Sequence, residues 1–237
     1  MPYEGPSDPL ATYLSYPEIT IHQLKLFQSI MAFSIANIRA NSLILVETGM
    51  GKIIVTEFIS LDGVIEAPGG DETAHPHGGW QTQYTSAKAG KYKVTELANV
   101  DALLLGRTTY QGFAAYWPGQ VGVGLADPIN KMPKYVVSKS LEEVDWNNSH
   151  ILRDVPTAVT ELKASEGGNI LVYGSGKLVK SLLHHNLVDE LRLMVYPVVL
   201  GGGLKLFDDN LELKKLELKR SEVFEEGIVM LEYLPSS

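Results

Sequence analysis

A Gly-Ser-Gly turn between an apolar run and a helical pattern is the first point where residue type and spacing suggest chemistry. Ile170-Leu171-Val172-Tyr173 leads into Gly174-Ser175-Gly176, and Lys177-Leu178-Val179 opens the helix. Glycines let a backbone approach a ligand closely, and N–H groups at a helix start offer partial positive charge to phosphate. Val179 stands where the third glycine of a dinucleotide fingerprint would fall, and no P-loop Gly-Lys-Ser/Thr is present. A plain tight turn accounts for the same residues. A second such place is Gly106-Arg107-Thr108-Thr109-Tyr110, where a guanidinium and two hydroxyls open a helix. Read without a ligand, Thr108 or Thr109 is an N-cap and Arg107 a surface charge. A third is Val137-Ser138-Lys139, with a hydroxyl and an ammonium for a ribose phosphate or for a solvated turn. Ligands of α/β sheets bind beyond the carboxyl ends of strands, so these three ends point to one crevice for an extended phosphorylated ligand.

The other half of a site must hold whatever reacts. Asp62, in Ser60-Leu61-Asp62-Gly63, is the candidate catalytic group, able to hydrogen-bond a ring N–H or to help deliver a proton. An Asp-Gly turn explains it equally well. Ser60 and Gly63 flank it as substrate-side candidates. Trp80 and Tyr84 follow a glycine-rich loop and offer flat faces for stacking on a ring, and Trp117, with Phe113 and Tyr116, is expected at the same mouth. Aromatic residues at helical spacing equally describe a core. The histidines pair as His75 with His77 and as His184 with His185, neither at the i, i+4 spacing of a zinc helix, so no metal site is expected.

From Met50 onward, strand-like and helix-like segments alternate, the pattern of an α/β sheet with parallel crossovers. Strands are expected at 52–60, 102–105, 134–137 and 169–173, and helices at 86–98, 108–116, 154–165 and 177–185. The last three strands, 190–200, 216–224 and 228–234, end the chain antiparallel, the final two joined as a hairpin at Glu225-Glu226-Gly227. Residues 67–80 form a long loop, and Gly201-Gly202-Gly203 marks a bend. The first 49 residues lack this alternation and are read as an extension, partly helical or poorly defined, before a domain at 50–237. Their longest uncharged run, Leu26 to Ile38, is shorter than the about 20 residues that span a bilayer.

Composition narrows the class. Hydrophobic residues make up 45% and charged residues 20% of 237, ordinary for a folded domain. A net charge of −8 with no basic cluster argues against nucleic acid as a partner. The absence of cysteine removes disulfides, Cys-ligated zinc, iron–sulfur clusters and thiol nucleophiles, and fits a cytoplasmic protein. Asn147-Asn148-Ser149 matches a glycosylation pattern by chance, with no secretory context beside it.

Taken in order, Ser60-Leu61-Asp62-Gly63, Asp101 through Tyr110, Val137-Ser138-Lys139, Tyr173-Gly174-Ser175-Gly176 and Tyr196 through Gly203 resemble the dihydrofolate-reductase-like superfamily. Within it they are most similar to the reductase domain of the riboflavin-biosynthesis deaminase-reductase, over about residues 50–235. The resemblance implies a three-layer α/β/α fold with a mixed, mostly parallel sheet, NADPH as cofactor, hydride transfer to a small pyrimidine- or pterin-like heterocycle, and a homodimer. It implies that Gly106, Arg107, Thr108 and Thr109 contact phosphate and that Val137, Ser138 and Lys139 hold the adenosine 2′-phosphate end. Tyr173, Gly174, Ser175, Gly176, Lys177, Leu178 and Val179 would form the pyrophosphate loop. The His-x-Glu and Pro-Cys-x-x-Cys signature of the zinc deaminase half is absent, so the resemblance is to a stand-alone reductase. No residue of the helix at 86–98 matches the buried carboxylate that dihydrofolate reductases place beside the pterin. Glu96 is the one candidate, and is read as a helix-surface charge. The competing function is a ligand-binding protein without catalysis on the same scaffold.

Overall fold

Ala102-Leu103-Leu104-Leu105 is apolar without interruption because both of its faces are covered. Ala102 and Leu104 pack into one core, Leu103 and Leu105 into another, and all four are 0% exposed. Burying a leucine contributes about 1.5–3 kcal/mol, so this short run anchors the layers on either side. The computed structural model describes residues 50–70, 73–120, 122, 124–166 and 168–236. The extension read for residues 1–49 lies outside them.

The eight strands are β1 (Lys52–Ser60), β2 (Ala102–Gly106), β3 (Lys134–Val137), β4 (Ser149–Leu152), β5 (Asn169–Tyr173), β6 (Glu190–Tyr196), β7 (Leu216–Val223) and β8 (Val229–Pro235). They form one sheet in the order β4-β3-β2-β5-β1-β6-β8-β7. The first six of that order are parallel, and β8 runs antiparallel to both β6 and β7. The described helices are α1 (Ala87–Leu97), α2 (Arg107–Tyr116), α3 (Ala126–Lys131), α4 (Val155–Glu166) and α5 (Gly176–His184). Val159 and Leu162 of α4 and Leu178, Val179 and Leu182 of α5 share one core with β1 and β5. Leu97, Tyr110 and Ile129, from α1, α2 and α3, pack on the other face. Helices on both faces make the expected three layers.

Beyond shifts of one or two residues at element ends and short 3-10 turns, the expected elements and those observed differ at three places. The strand read to Leu200 stops at Tyr196, because Pro197 has no N–H to continue a ladder, and Val198 folds back to donate to Tyr196 O at 2.8 Å. Helix α3 was not expected. It has only six residues and contains Pro128, and its C-terminus is closed by a distant side chain: buried Lys134 donates to the carbonyls of Ile129, Asn130 and Met132 at 2.9–3.0 Å. Its ammonium also lies 4.2 Å from the Trp146 ring, and burial brings its pKa down to about 8. Strand β4 was not expected either. It begins inside the stretch read as a chance glycosylation pattern, and only pairing with β3 makes it a strand.

Candidate functional site

The sheet order places β3, β2 and β5 side by side, so the three strand ends singled out in the sequence open on one edge. At that edge the β2 and β5 turns interlock. Ser175 Oγ accepts from Gly106 N–H at 2.9 Å and donates to Tyr173 O at 2.9 Å, while Ser175 N–H donates to Thr109 Oγ1 at 2.9 Å. Gly174 (φ +50°) and Ser175 (φ +61°) are both left-handed, a conformation natural to glycine and costing serine about 1 kcal/mol or more. A Cβ on Gly174 would sit 3.4 Å from Thr109 Oγ1. The Ser175 hydroxyl is therefore committed to the backbone, while Thr109 Oγ1 accepts from Ser175 N–H and keeps its own O–H donor. What they hold in place is the start of α5, where the N–H groups of Gly176 and Lys177 have no acceptor among the described residues. Helix α2 likewise begins at Gly106 with no side-chain cap over its first turn.

Around these N–H groups stand exposed cations. Arg107 Nη1 donates to Ser140 Oγ at 3.0 Å and so spans from the β2 turn to the β3 turn. Ser138 Oγ is a turn-former, accepting from Ser140 N–H and Leu141 N–H. Arg153, just beyond β4, donates from Nη1 to Ser138 O (2.9 Å) and Leu141 O (2.7 Å). Arg107, Thr108, Lys139, Arg153 and Lys177 are exposed, whereas Leu178 and Val179 point into the core and Val137 packs against it. Those three can contribute backbone alone. The arrangement of free N–H groups, a close-packed glycine turn and four cations fits a phosphorylated dinucleotide.

The expected substrate side is rearranged. Asp62 accepts from Ser60 Oγ–H (2.7 Å) and from the N–H groups of Leu200 (3.1 Å) and Gly201 (2.8 Å). The Ser60 hydroxyl and these backbone donors hold its carboxyl down to about 2, so it has no proton to deliver near neutral pH and acts as a clamp between loops. Ser60 is buried and also accepts from Val64 N–H, and Gly63 (φ +87°) makes the turn. Trp80 is 1% exposed, donates from Nε1 to Glu66 O at 2.9 Å and packs edge-on against Tyr196. It is a core residue with no free face. Tyr84 lies against the same Tyr196 ring, its hydroxyl donating to Pro197 O at 3.3 Å. Trp117 is half-buried against Phe113 and Tyr116, and its buried Nε1 has no partner among the described residues.

Glu96 is not a helix-surface charge. Its side chain is 1% exposed and accepts from Lys93 Nζ (2.9 Å), Tyr173 Oη (3.3 Å) and Arg192 Nη1 (3.4 Å). Lys93 also donates to Thr56 Oγ1 at 2.5 Å. Arg192 continues to Glu190, which takes Lys219, so the network runs from α1 across β6 to β7. Burial, with the Glu96 carboxylate beside it, pushes the Tyr173 hydroxyl well above its usual pKa, so it is a neutral donor.

A family profile described as the RibD C-terminal domain matches residues 51–230. The chain belongs to that family. The uncharacterized protein YyaP of Bacillus subtilis strain 168 is 28% identical over 186 residues, covering 77% of this chain and 94% of the relative. Among solved structures, a protein from Shewanella sp. PV-4 assigned to riboflavin biosynthesis is 22% identical, with a TM-score of 0.62 over 78% of this chain and 99% of that one. A dihydrofolate reductase from Enterococcus faecalis, complexed with NADP(H), has a TM-score of 0.54 at 12% identity, covering 79% of this chain and 98% of that one. The fold is thus dihydrofolate-reductase-like, as the ordered motifs implied.

In this RibD C-terminal domain, sequence reasoning missed Arg153, Lys93, Thr56 and Arg192. Arg153 follows a strand that was itself unrecognised. Lys93 stands three residues before Glu96 on the same helix, and only the strands beneath α1 show that both are buried.

Proposed function

We propose that this protein is an NADPH-dependent reductase of a small heterocyclic substrate. The observation that carries the reading is the interlocked pair of turns at Gly106–Thr109 and Tyr173–Gly176, which aims uncapped helix N–H groups at the edge where Arg107, Lys139 and Arg153 gather. Within a chain of net charge −8, such a cluster suits an anionic ligand. Membership of the RibD C-terminal domain family supports a reductase-type activity, and the NADP(H) held by a protein of the same fold supports the cofactor.

In this reading the α2 and α5 N-termini hold the pyrophosphate, and Arg107, Lys139 and Arg153 hold the adenosine phosphate. NADPH, when bound, supplies the hydride. Ser175 and Thr109 keep the two helix starts in register, and Asp62 fixes the loops after β1 and β6. Rate enhancement then comes chiefly from holding the reactants together. The reading extends to a homodimer in the cytoplasm. Among the described residues, no helix is long and apolar enough to cross a membrane.

Titration with NADPH and, in parallel, NADH, followed by nicotinamide fluorescence and thermal shift, tests the reading. NADPH is expected to bind selectively, and Arg107→Ala to weaken it by about 1–3 kcal/mol with little change in melting temperature. Failure of both nucleotides to bind would overturn it. The engagement of Asp62 and Trp80 within the fold favours a second reading, a binding protein without turnover. Tight NADPH binding with no oxidation across pyrimidine, pterin and flavin-precursor substrates would favour that reading instead.

A further inference from the structure

The antiparallel end of the sheet, β6, β8 and β7, is inverted in polarity. Its charged side chains lie on the face that α1 covers: Arg192 pairs with Glu190 and with Glu96 of α1, Lys219 pairs with Glu190, and Glu232 accepts from Tyr92 Oη of α1 at 2.9 Å. The opposite face is apolar. Register sets Val195, Val229 and Val223 in one row across the three strands and Leu191, Tyr233 and Leu218 in another. In the row between, beside Leu193 and Leu231, Ser221 is the one polar side chain of the three rows. An antiparallel sheet with one face open to water carries its polar side chains on that face.

Helices α4 and α5 share a core with β1 and β5 on this side, and their cover runs out toward the edge. Leu191 and Leu193 are buried, Val229, Leu231 and Tyr233 are half-buried, and Leu218 and Val223 are 51% and 65% exposed. Neither of the last two packs into a core among the described residues. The backbone edge of β7 is guarded, by contrast. Exposed Lys219 and Arg220 and a bulge between Leu218 and Arg220 are devices that keep a further strand from adding there. Whatever completes this end of the sheet therefore lies on its face.

Charge selects the occupant. Two copies of a chain of net charge −8 repel each other, and a contact through a face without charged side chains costs them least. The two ends of the face differ in sign, with exposed Lys215 before β7 and exposed Glu225 and Glu226 after it. A two-fold axis running across the strands sets the basic end of each copy against the acidic end of the other while the apolar rows close together.

We propose that the apolar face of β6, β8 and β7 is an isologous interface, on which a second copy of this chain packs the same face, sheet against sheet. This rests on the reading above for its homodimer and not for its cofactor, because β7 lies at the far edge of the sheet from β3 and β2.

Sedimentation of the full-length protein over a wide concentration range tests it, and a dimer is expected. Leu218→Glu combined with Val223→Glu places charge where no core packing is lost. The double variant is expected to be a monomer with native circular dichroism and unchanged NADPH affinity. Lys215→Glu is expected to weaken the dimer severalfold at low salt and less at high salt, so a misfolded double variant leaves the test standing. A wild type that is monomeric throughout would overturn the proposal and leave the face to a different partner. A dimer that persists in the folded double variant, or one indifferent to Lys215→Glu, would overturn it as well. A dimer dispersed by these variants in a protein that binds no NADPH would uphold the interface and sink the reductase reading instead.

Discussion

Glu57 sits near the middle of β1 at 3% exposure, and its Oε1 has no hydrogen-bond partner among the described residues. Desolvation pushes its carboxyl well above the usual range, against the opposing pull of the Lys93 ammonium, which favours its protonated form. The folded state therefore binds this proton more tightly than the unfolded chain does. The stability it contributes is full below the unfolded value of about 4.3 and is lost as pH rises through the folded one. Glu57→Gln, which cannot ionise, is expected to melt at a higher temperature than the wild type at alkaline pH and to differ little near pH 4. Parallel melting curves over that range check this, and a constant gap across pH would refute it. At this scale the sequence was least informative. Glu57, Glu96 and Trp80 have types that fit either a surface or a core, and neighbours more than thirty positions away decide which: Thr56 and Tyr173 surround Lys93 and Glu96, and Tyr196 covers Trp80.

Elements were far more legible, because period and punctuation are local properties. Strands at 52–60, 134–137 and 169–173 have the expected bounds, and α1 starts after Ser86, whose hydroxyl accepts from Ala89 N–H as an N-cap. The turn after β5 was legible as a turn, and what Ser175 does there was not. It was read as part of a phosphate-binding loop, and its side chain ties β2 to β5. Ser175→Ala loses the bonds to Gly106 and Tyr173 while keeping a left-handed Cβ, and is expected to lower stability by about 1–3 kcal/mol. Ser175→Gly loses the same bonds but relieves the backbone, and should recover part of that loss. Denaturant unfolding of both variants measures the difference, and equal stabilities would show that the left-handed conformation costs nothing here.

Over the whole molecule, charge is segregated. An acidic chain gathers Arg107, Lys139 and Arg153 at one sheet edge, while a nearly balanced network runs from buried Lys93 and Glu96 on α1 through Arg192 and Glu190 to half-exposed Lys219 on β7. Exposed charges are screened by salt and buried ones much less. Raising salt from about 0.01 to about 1 M shortens the Debye length from about 30 to about 3 Å. The preference for NADPH over NADH is accordingly expected to shrink across that range, while the melting temperature changes little. A preference that persists at high salt would locate discrimination in buried contacts rather than in the exposed cations.

The amino-acid sequence by itself determined the α/β class, the order of most strands and helices, the antiparallel ending and the three glycine- or hydroxyl-bearing strand ends. Each of these follows from patterns a few residues long. Only the tertiary structure decided that Thr109 and Ser175 bond to backbone, that Asp62 clamps two loops, that Trp80 is core, and that Lys93 and Glu96 are buried. Those outcomes depend on strands set side by side from positions up to 139 residues apart, as between Asp62 and Gly201, and no local period records such a pairing.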